Sequence, residues 1–470
     1  MNTNNTNLTD NNLCLFVQLV VKSNIIRVFP FYPWSFNNWF QKIIHRSFAI
    51  SEKNRIFATK KKSNIGSITS DITVKSGVQL HKLNNMIKRY LQILNELESS
   101  IFLFGARQTG KSTILSEQLK GAAFFDLLDG ETRRRLQSRP ELLFNTLKDK
   151  EEGSIVVIDE ISEVPELLNE VHRLISQKKM RFVLCGSSAR KLKRKGYNTL
   201  GGRAFPCFFY PFVSAELPEF DLDKALTHGL LPPHYLSKNP WRLLASYIDV
   251  YLREEIMQEA IIRKSDVFSH FLDVAALTSG EIVNYNNIAS DCGVSAKTIK
   301  EYFSILEDTL VGYMIPPFSR VQKRKVLQAP KFYFFDVGIY NYLMHRETIT
   351  HGTPEYGHAL EHFVVQEIIA NLGYCHSRET LSYWHTYGGS EVDLVIGDAR
   401  LAIEIKSTYE IQNRHLTGLK SFGKEFANCR LIAISLDKFT RKMGNVECFY
   451  IEDFLKTLWN GGFDMPLTTI

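Results

Sequence analysis

Cysteine is scarce and scattered, seven residues at positions 14, 185, 207, 292, 375, 429 and 448. No C-x-x-C pair and no zinc-ligand spacing occurs among them. That excludes a disulfide scaffold and predicts reduced thiols in a cytosolic protein. Long apolar runs are missing too. The run from Leu13 to Val21 is broken by Gln18 and followed closely by Lys22 and Arg27, well short of the ~18 residues of a membrane span. It has neither the basic residues before it nor the small residues after it that mark a signal peptide. Surplus charge is absent from most of the chain. The net +7 is outweighed by residues 1–85 alone, which hold 11 Lys and Arg against 3 Asp and Glu. The bulk charge therefore says nothing about the partners of the remainder.

Those 85 residues open on an Asn/Thr tract, Met1 to Asn12, and show weak periodicity as far as Lys75. At Met86 the pattern changes, and Met86-Ile-Lys-Arg-Tyr-Leu begins an amphipathic helix leading into a strand. The expectation is that Met86 is the true start and that 1–85 is an artefact or a dispensable extension. Peptides from Ser35 to Lys75 in the native protein would overturn it.

From Ile101 short apolar runs alternate with amphipathic helices, the signature of a parallel sheet with crossover helices. Strands are predicted at Ile101–Phe104, Ala122–Asp126, Ile155–Asp159, Phe182–Gly186 and Pro206–Phe209. A polar, proline-containing stretch from Leu217 to Asn239 is read as a separator. Predicted helices follow from Trp241 to Lys264 and through most of 267–318, and strands return from Lys331. The predicted domains are 86–240, 241–325 and 326–470.

Gly105-Ala-Arg-Gln-Thr-Gly110-Lys111-Ser112 fits G-x-x-x-x-G-K-[ST] in full, with Thr113 behind it. It lies between an apolar run and a helix, the context that the motif requires. Glycines let the backbone wrap a phosphate with N–H groups inward, and the helix N-terminus adds its positive end. Lys111 is expected at the β- and γ-phosphates and Ser112 on Mg²⁺. The apolar run Ile155 to Ile158 ends in Asp159-Glu160, which suits a nucleotide hydrolase. Asp159 would hold the metal's water shell and Glu160 polarise the attacking water. Gly186-Ser187-Ser188 ends a further strand, where a hydroxyl could sense the γ-phosphate. Arg203, after Gly201-Gly202, is read either as a charge-stabilising arginine, acting in cis or in trans, or as a surface one.

These residues resemble bacterial and archaeal AAA+ ATPases with a C-terminal nuclease-like domain of unknown function. The likeness spans Met86 to about Asp453. It rests on the opening Met86 stretch, Gly105 to Thr113, Gly-Ser-Ser-Ala-Arg-Lys-Leu at 186–192, and Gly202-Arg203 leading into Tyr-Pro-Phe. Pro330-Lys331 and Phe335-Asp336-Val-Gly338 match as well. The resemblance implies an ATP-dependent machine using ATP and Mg²⁺; substrates are mostly unknown for the group. A homo-oligomer is a reasonable expectation, since such sites usually take an arginine from a neighbouring subunit.

Asn286 to Tyr302 has the cadence of a helix-turn-helix. Ala289 is small where helices must approach, Gly293 sits in the turn, and Ser295 caps a second helix carrying Ile299, Phe303 and Leu306. Its other face carries Lys297, Thr298 and Lys300, which suits either DNA contact or, as a winged-helix module, protein contact. Few arginines there argue against strong base readout.

In the last third, Glu361 is expected on a helix, Asp393 on a strand and Glu404-Ile-Lys406 on another. Period-two alternation puts Ile403 and Ile405 on a buried face and Glu404 with Lys406 on the other. The order E…D-x₁₀-E-x-K resembles the PD-(D/E)XK nuclease fold, with Val392 where that pattern has proline. The resemblance implies Mg²⁺ on Asp393 and Glu404, help from Glu361, and Lys406 orienting or activating water. His362 and His385 are read as structural.

The fold class expected is α/β: a P-loop AAA+ parallel sheet, a helical or winged-helix module, and a restriction-endonuclease-like domain. The function expected is ATP-driven action on DNA, with metal-dependent cleavage. A signalling or scaffold ATPase and a DNA-binding protein under ATP control remain the alternatives; no membrane partner is expected.

Overall fold

Five short apolar runs pair into one parallel sheet: β1 (Ser100–Phe104), β2 (Ala123–Asp126), β3 (Ile155–Asp159), β4 (Arg181–Gly186) and β5 (Ala204–Phe208). Their order is β2-β3-β4-β1-β5, and every pairing is parallel. The computed structural model describes residues 87–187, 200–255, 265–319, 329–386 and 388–463. They belong to one compact unit, Ile87–Ile470. The expectation for residues 1–85 and the Met86 start lies outside the described residues. So do Ser188, most of the 186–192 stretch and the end of the helical run toward Lys264.

β1, β3 and β4 are buried almost throughout, because helices cover both faces of a parallel sheet. Since all five strands run the same way, the segments that follow β1, β3 and β4 emerge at one edge. That edge gathers the P-loop, Asp159-Glu160 and Ser187. The outer strand β5 contains Pro206 and leaves Phe205 and Phe208 exposed.

The stretch read as a separator is instead packed structure. Asp221 caps a helix Leu222–His228 by accepting from Lys224 N, and a second helix, Pro232–Tyr235, starts on two prolines. Leu226, Leu230, Leu231 and His234 are all buried. Prolines signalled a loop, yet at a first helical turn the missing N–H costs nothing.

The helix Pro240–Ser246 runs into a π-helical stretch, Tyr247–Glu255. The turn at Gly293 adopts the left-handed conformation between helices Tyr285–Cys292 and Ala296–Asp308. Ser295 accepts from Thr298 N, and Ile299, Phe303 and Leu306 are buried, as the sequence pattern demands. β6 (Gly312–Ile315) follows and pairs antiparallel with β7 (Lys331–Phe334). That ladder crosses the boundary expected at 326.

The C-terminal part has a long helix, Pro354–Tyr374, then β8 (Leu381–His385), β9 (Glu391–Ile396), β10 (Leu401–Lys406), β11 (Arg430–Ser435), β12 (Arg441–Met443) and β13 (Val446–Tyr450). The sheet order is β12-β13-β11-β10-β9-β8. β8, β9 and β10 form an antiparallel meander, while β10, β11 and β13 run parallel. A helix Thr417–Glu425 separates β10 from β11. It packs on β10, and Glu404 is buried. No helix among the described residues is long and apolar enough to cross a membrane.

Candidate functional site

β1 ends in a loop held open by two glycines. A Cβ on Gly105 would lie 2.4 Å from the Phe209 carbonyl oxygen, so only glycine lets β1 and the segment after β5 approach. Gly110, at φ +97°, starts the helix Lys111–Gln118 from a backbone conformation that other residues avoid. Lys111 is buried and turns its ammonium onto the carbonyls of Gly105 at 2.5 Å and Ala106 at 3.1 Å. Burial pushes its pKa down. The lysine thus sits inside the arc that would cradle a phosphate, bonded to the loop itself.

Ser112 donates to Asp159 Oδ2 at 2.8 Å. A hydroxyl and a carboxylate side by side are the oxygen pair that Mg²⁺ favours, and burial pushes the Asp159 carboxyl above its usual range. The residues fit the ion. Glu160 stands next, in the left-handed region at φ +56°, a costly conformation for a residue with a side chain. Its Oε1 accepts from Ser162 Oγ at 2.9 Å, Ser187 Oγ at 3.1 Å and Ser187 N at 3.2 Å. The ends of β3 and β4 are therefore joined through Glu160. Thr113 is exposed on the next helical position.

Arg203 is not brought to this site. It precedes β5, whose Ala204 pairs with Ser100 at the start of β1, while the P-loop follows Phe104 at the other end. Four residues of strand, ~13 Å, separate the two levels. In this chain Arg203 does not serve its own P-loop.

Arg89, by contrast, was missed. It is buried, donates to Thr109 O at 2.6 Å and to the carbonyls of Tyr210 and Pro211, and pairs with Glu216 at 2.9 Å. Its guanidinium also lies over the Phe209 ring. A basic residue within an otherwise amphipathic opening was the available signal. Tyr247 adds a hydroxyl 3.5 Å from Arg107 O. Behind the loop lies a cavity of about 270 Å³ lined by Gly105, Ala106, Thr109, Tyr313, Phe335 and Ile369, among others.

The second constellation lies at the ends of β9 and β10. Lys406 bonds Glu404 at 2.5 Å and stands 3.8 Å from Asp393. Asp393 also accepts from Ile405 N at 2.7 Å. Burial, with repulsion from Glu361 added, pushes Asp393 up to about 7, and burial with repulsion from Asp393 pushes Glu404 up to about 8. Glu404 Oε2 is buried with no hydrogen-bond partner. An orphaned, buried carboxylate oxygen beside a second carboxylate fits a divalent cation, since Mg²⁺ takes only one or two carboxylates and completes its shell with water and phosphate.

Glu361, from the long helix, faces the same cluster, where its charge pushes Asp393 up and Lys406 draws Glu361 down. It accepts from Tyr333 Oη at 2.6 Å and lies 3.9 Å from Lys331, which bonds Glu391 at 2.5 Å. Burial alone would lower Lys331, but Glu361 and Glu391 outweigh it and raise it. Lys331, Tyr333 and Glu391 were not foreseen as site residues; a lysine at the head of the aromatic run Phe332 to Phe335 was the clue. Among the described residues no three His, Cys, Asp or Glu side chains gather closely enough to hold a metal. His362 is structural, its Nε2–H donating to Phe334 O at 2.6 Å.

Residues 98–217 match a family model described as an AAA domain. The stretch that carries the P-loop is thus similar to AAA-type domains. Its five-stranded parallel sheet is consistent with that match. Residues 219–350 match a domain of unknown function, DUF8612, and residues 356–453 another, DUF4143. No curated protein matches the chain. Among solved structures it is similar to a Signal Transduction ATPase with Numerous Domains (STAND) protein with a tetratricopeptide repeat sensor, from Pyrococcus horikoshii. The identity is 11% over 60% of this chain and 44% of that one, with a TM-score of 0.18. The chain thus spans less than half of that protein.

Proposed function

We propose that this protein binds and hydrolyses ATP at residues 105–113 and uses it to act on DNA through its C-terminal acid cluster. The observation that carries the ATPase reading is the meeting of Lys111, the Ser112–Asp159 pair and the Glu160–Ser187 pair at the ends of three parallel strands. Bound Mg²⁺ supplies charge neutralisation on the phosphates. Lys111 leaves its own loop carbonyls for the phosphate oxygens, Ser112 and Asp159 orient the ion's shell, and Glu160 orients the attacking water. Ser187, bonded to Glu160, fixes that carboxylate and lies where a γ-phosphate would be sensed. Arg203, remote from its own P-loop, is assigned to the site of a neighbouring copy, which makes the active form a homo-oligomer.

The DNA half rests on the convergence of Asp393, Glu404 and Lys406 on adjacent strands, in a helix, three-strand meander, helix, parallel strand arrangement that resembles the PD-(D/E)XK nucleases. A divalent ion there supplies a water of lowered pKa. Asp393 and Glu404 would hold it, and Lys406 would orient the water toward the phosphodiester. The helix-turn-helix with β6 and β7 reads as a winged helix, whose exposed Lys297 and Lys300 suit phosphate contact.

One observation favours a second reading, a nucleotide-switched protein that cuts nothing. Lys406 already pairs with Glu404 and stands near Asp393, and Glu361 is held by Tyr333. Incubation of the full chain with plasmid and linear DNA, with Mg²⁺ or Mn²⁺ and with or without ATP, separates the two. Cutting lost in Lys406→Ala establishes the nuclease, and its loss in Lys111→Ala makes it ATP-driven. ATP hydrolysis without cutting under any condition establishes the switch.

A further inference from the structure

The cavity behind the P-loop and the acid cluster are joined by a single short strand. Lys331, Tyr333 and Phe335 alternate along β7 and its extension, so they share one face. Lys331 and Tyr333 reach Glu391 and Glu361, while Phe335 lines the cavity behind Gly105, Ala106 and Thr109. One residue further, Asp336 accepts from Leu230 N at 2.7 Å and Gly338 N at 3.0 Å. A Cβ on Gly229 would collide with that carboxylate, so the segment after the helix Leu222–His228 is seated directly on it.

We propose that Lys331 is a positioning residue of the acid cluster, and that β7 transmits nucleotide binding at the P-loop to Glu391 and Glu361 through it. The inference rests on the nucleotide-binding reading above and is independent of whether DNA is cut. Lys331 lies outside the matched region 356–453 that holds Glu361, Asp393, Glu404 and Lys406, so the cluster is completed by a neighbouring module. Residues 331–336 are all buried, and a close-packed strand has no free volume in which to absorb a shift. Its middle is pinned as well: His362 donates to Phe334 O, and His362 is the helix neighbour of Glu361. A movement of Phe335 or Asp336 on nucleotide binding therefore reaches Lys331 over ~17 Å of extended chain.

The test is hydrogen exchange of the full chain with and without a non-hydrolysable ATP analogue, Mg²⁺ being present in both. Nucleotide affinity is measured in parallel for each variant. The wild type is expected to change amide exchange across 391–406 by about tenfold on nucleotide binding, within the usual range of coupling between sites. Lys331→Met is expected to bind the analogue and lose that change. A lysine serving only to neutralise buried acids would raise exchange equally with and without nucleotide. Should Lys331→Met fail to fold, Glu391→Gln, which removes the nearest partner of Lys331, is expected to weaken the response. Unchanged exchange in a wild type that binds the analogue overturns the proposal, as does a full response in Glu391→Gln. Absence of analogue binding in the wild type overturns the nucleotide reading itself and the coupling with it.

Discussion

The Arg89 guanidinium donates to the Thr109 carbonyl at 2.6 Å, tying the first residues of the unit Ile87–Ile470 to the phosphate loop. The same side chain pairs with buried Glu216, which also accepts from Tyr90 N and Val213 N. Loop position and local stability thus depend on one residue. Arg89→Met is expected to cost ~3–5 kcal/mol, because it strands the Glu216 carboxylate. Adding Glu216→Leu should recover much of that stability while nucleotide affinity stays weak, since Thr109 still lacks its donor. Chemical denaturation and nucleotide titration of both variants check this; recovery of affinity in the double variant would falsify the loop-positioning role.

Glu160 and Ser187 should separate binding from chemistry. Glu160→Gln is expected to keep ATP affinity and lower hydrolysis by about 10²- to 10⁴-fold. Ser187→Ala should fall between it and the wild type, since the Ser187 backbone N–H still holds the carboxylate. Steady-state hydrolysis and a separate binding isotherm decide the matter. Equal loss of affinity in Glu160→Gln would mean that the residue shapes the pocket instead.

Glu367 gives the folded chain a pH dependence. It is buried against Ser214 and Trp459, whose N–H and O–H groups donate to it, and burial still pushes its carboxyl up from 4.5 to about 7. The native state then holds a proton that the unfolded chain has released. Its contribution is complete below pH 4.5 and is lost as pH rises through about 7. Glu367→Gln should flatten denaturation midpoints across that window. A profile as steep as that of the wild type would assign the slope to other groups.

Asp393 and Glu404 trade stability for a site. Two carboxyls pushed above their usual range are costly when ionised, so Asp393→Asn should raise the melting temperature at pH 8 in the absence of metal. Mn²⁺ without nucleotide should raise the melting temperature of the wild type and leave that of Asp393→Asn unchanged. Equal Mn²⁺ shifts in both proteins would place the ion elsewhere.

The sequence made the P-loop, Asp159-Glu160 and the strands beneath them legible to within about two residues, because each is a local pattern with its own backbone requirement. Ile155–Asp159 and the Gly293 turn lie where the pattern put them. Asp393, Glu404 and Lys406 were readable for the same reason, being carried on two neighbouring strands. Lys331 was not, since its partner Glu391 is 60 residues away and reaches it only through the docking of two modules. Arg89 escaped for the same cause, with Glu216 127 residues distant. What covers the face of β10 carrying Glu404 was not legible either, because nothing in β10 itself announces the helix Thr417–Glu425 packed on it.

Pro206 on β5 bears on how copies of this protein can meet. An outer strand ordinarily offers its backbone to any passing strand, but proline has no N–H to give, and this one interrupts the ladder in mid-strand. Sheet-to-sheet polymerisation is closed off along that border. What that border offers a neighbour instead is the exposed rings of Phe205 and Phe208, a contact that depends on shape rather than on backbone pairing.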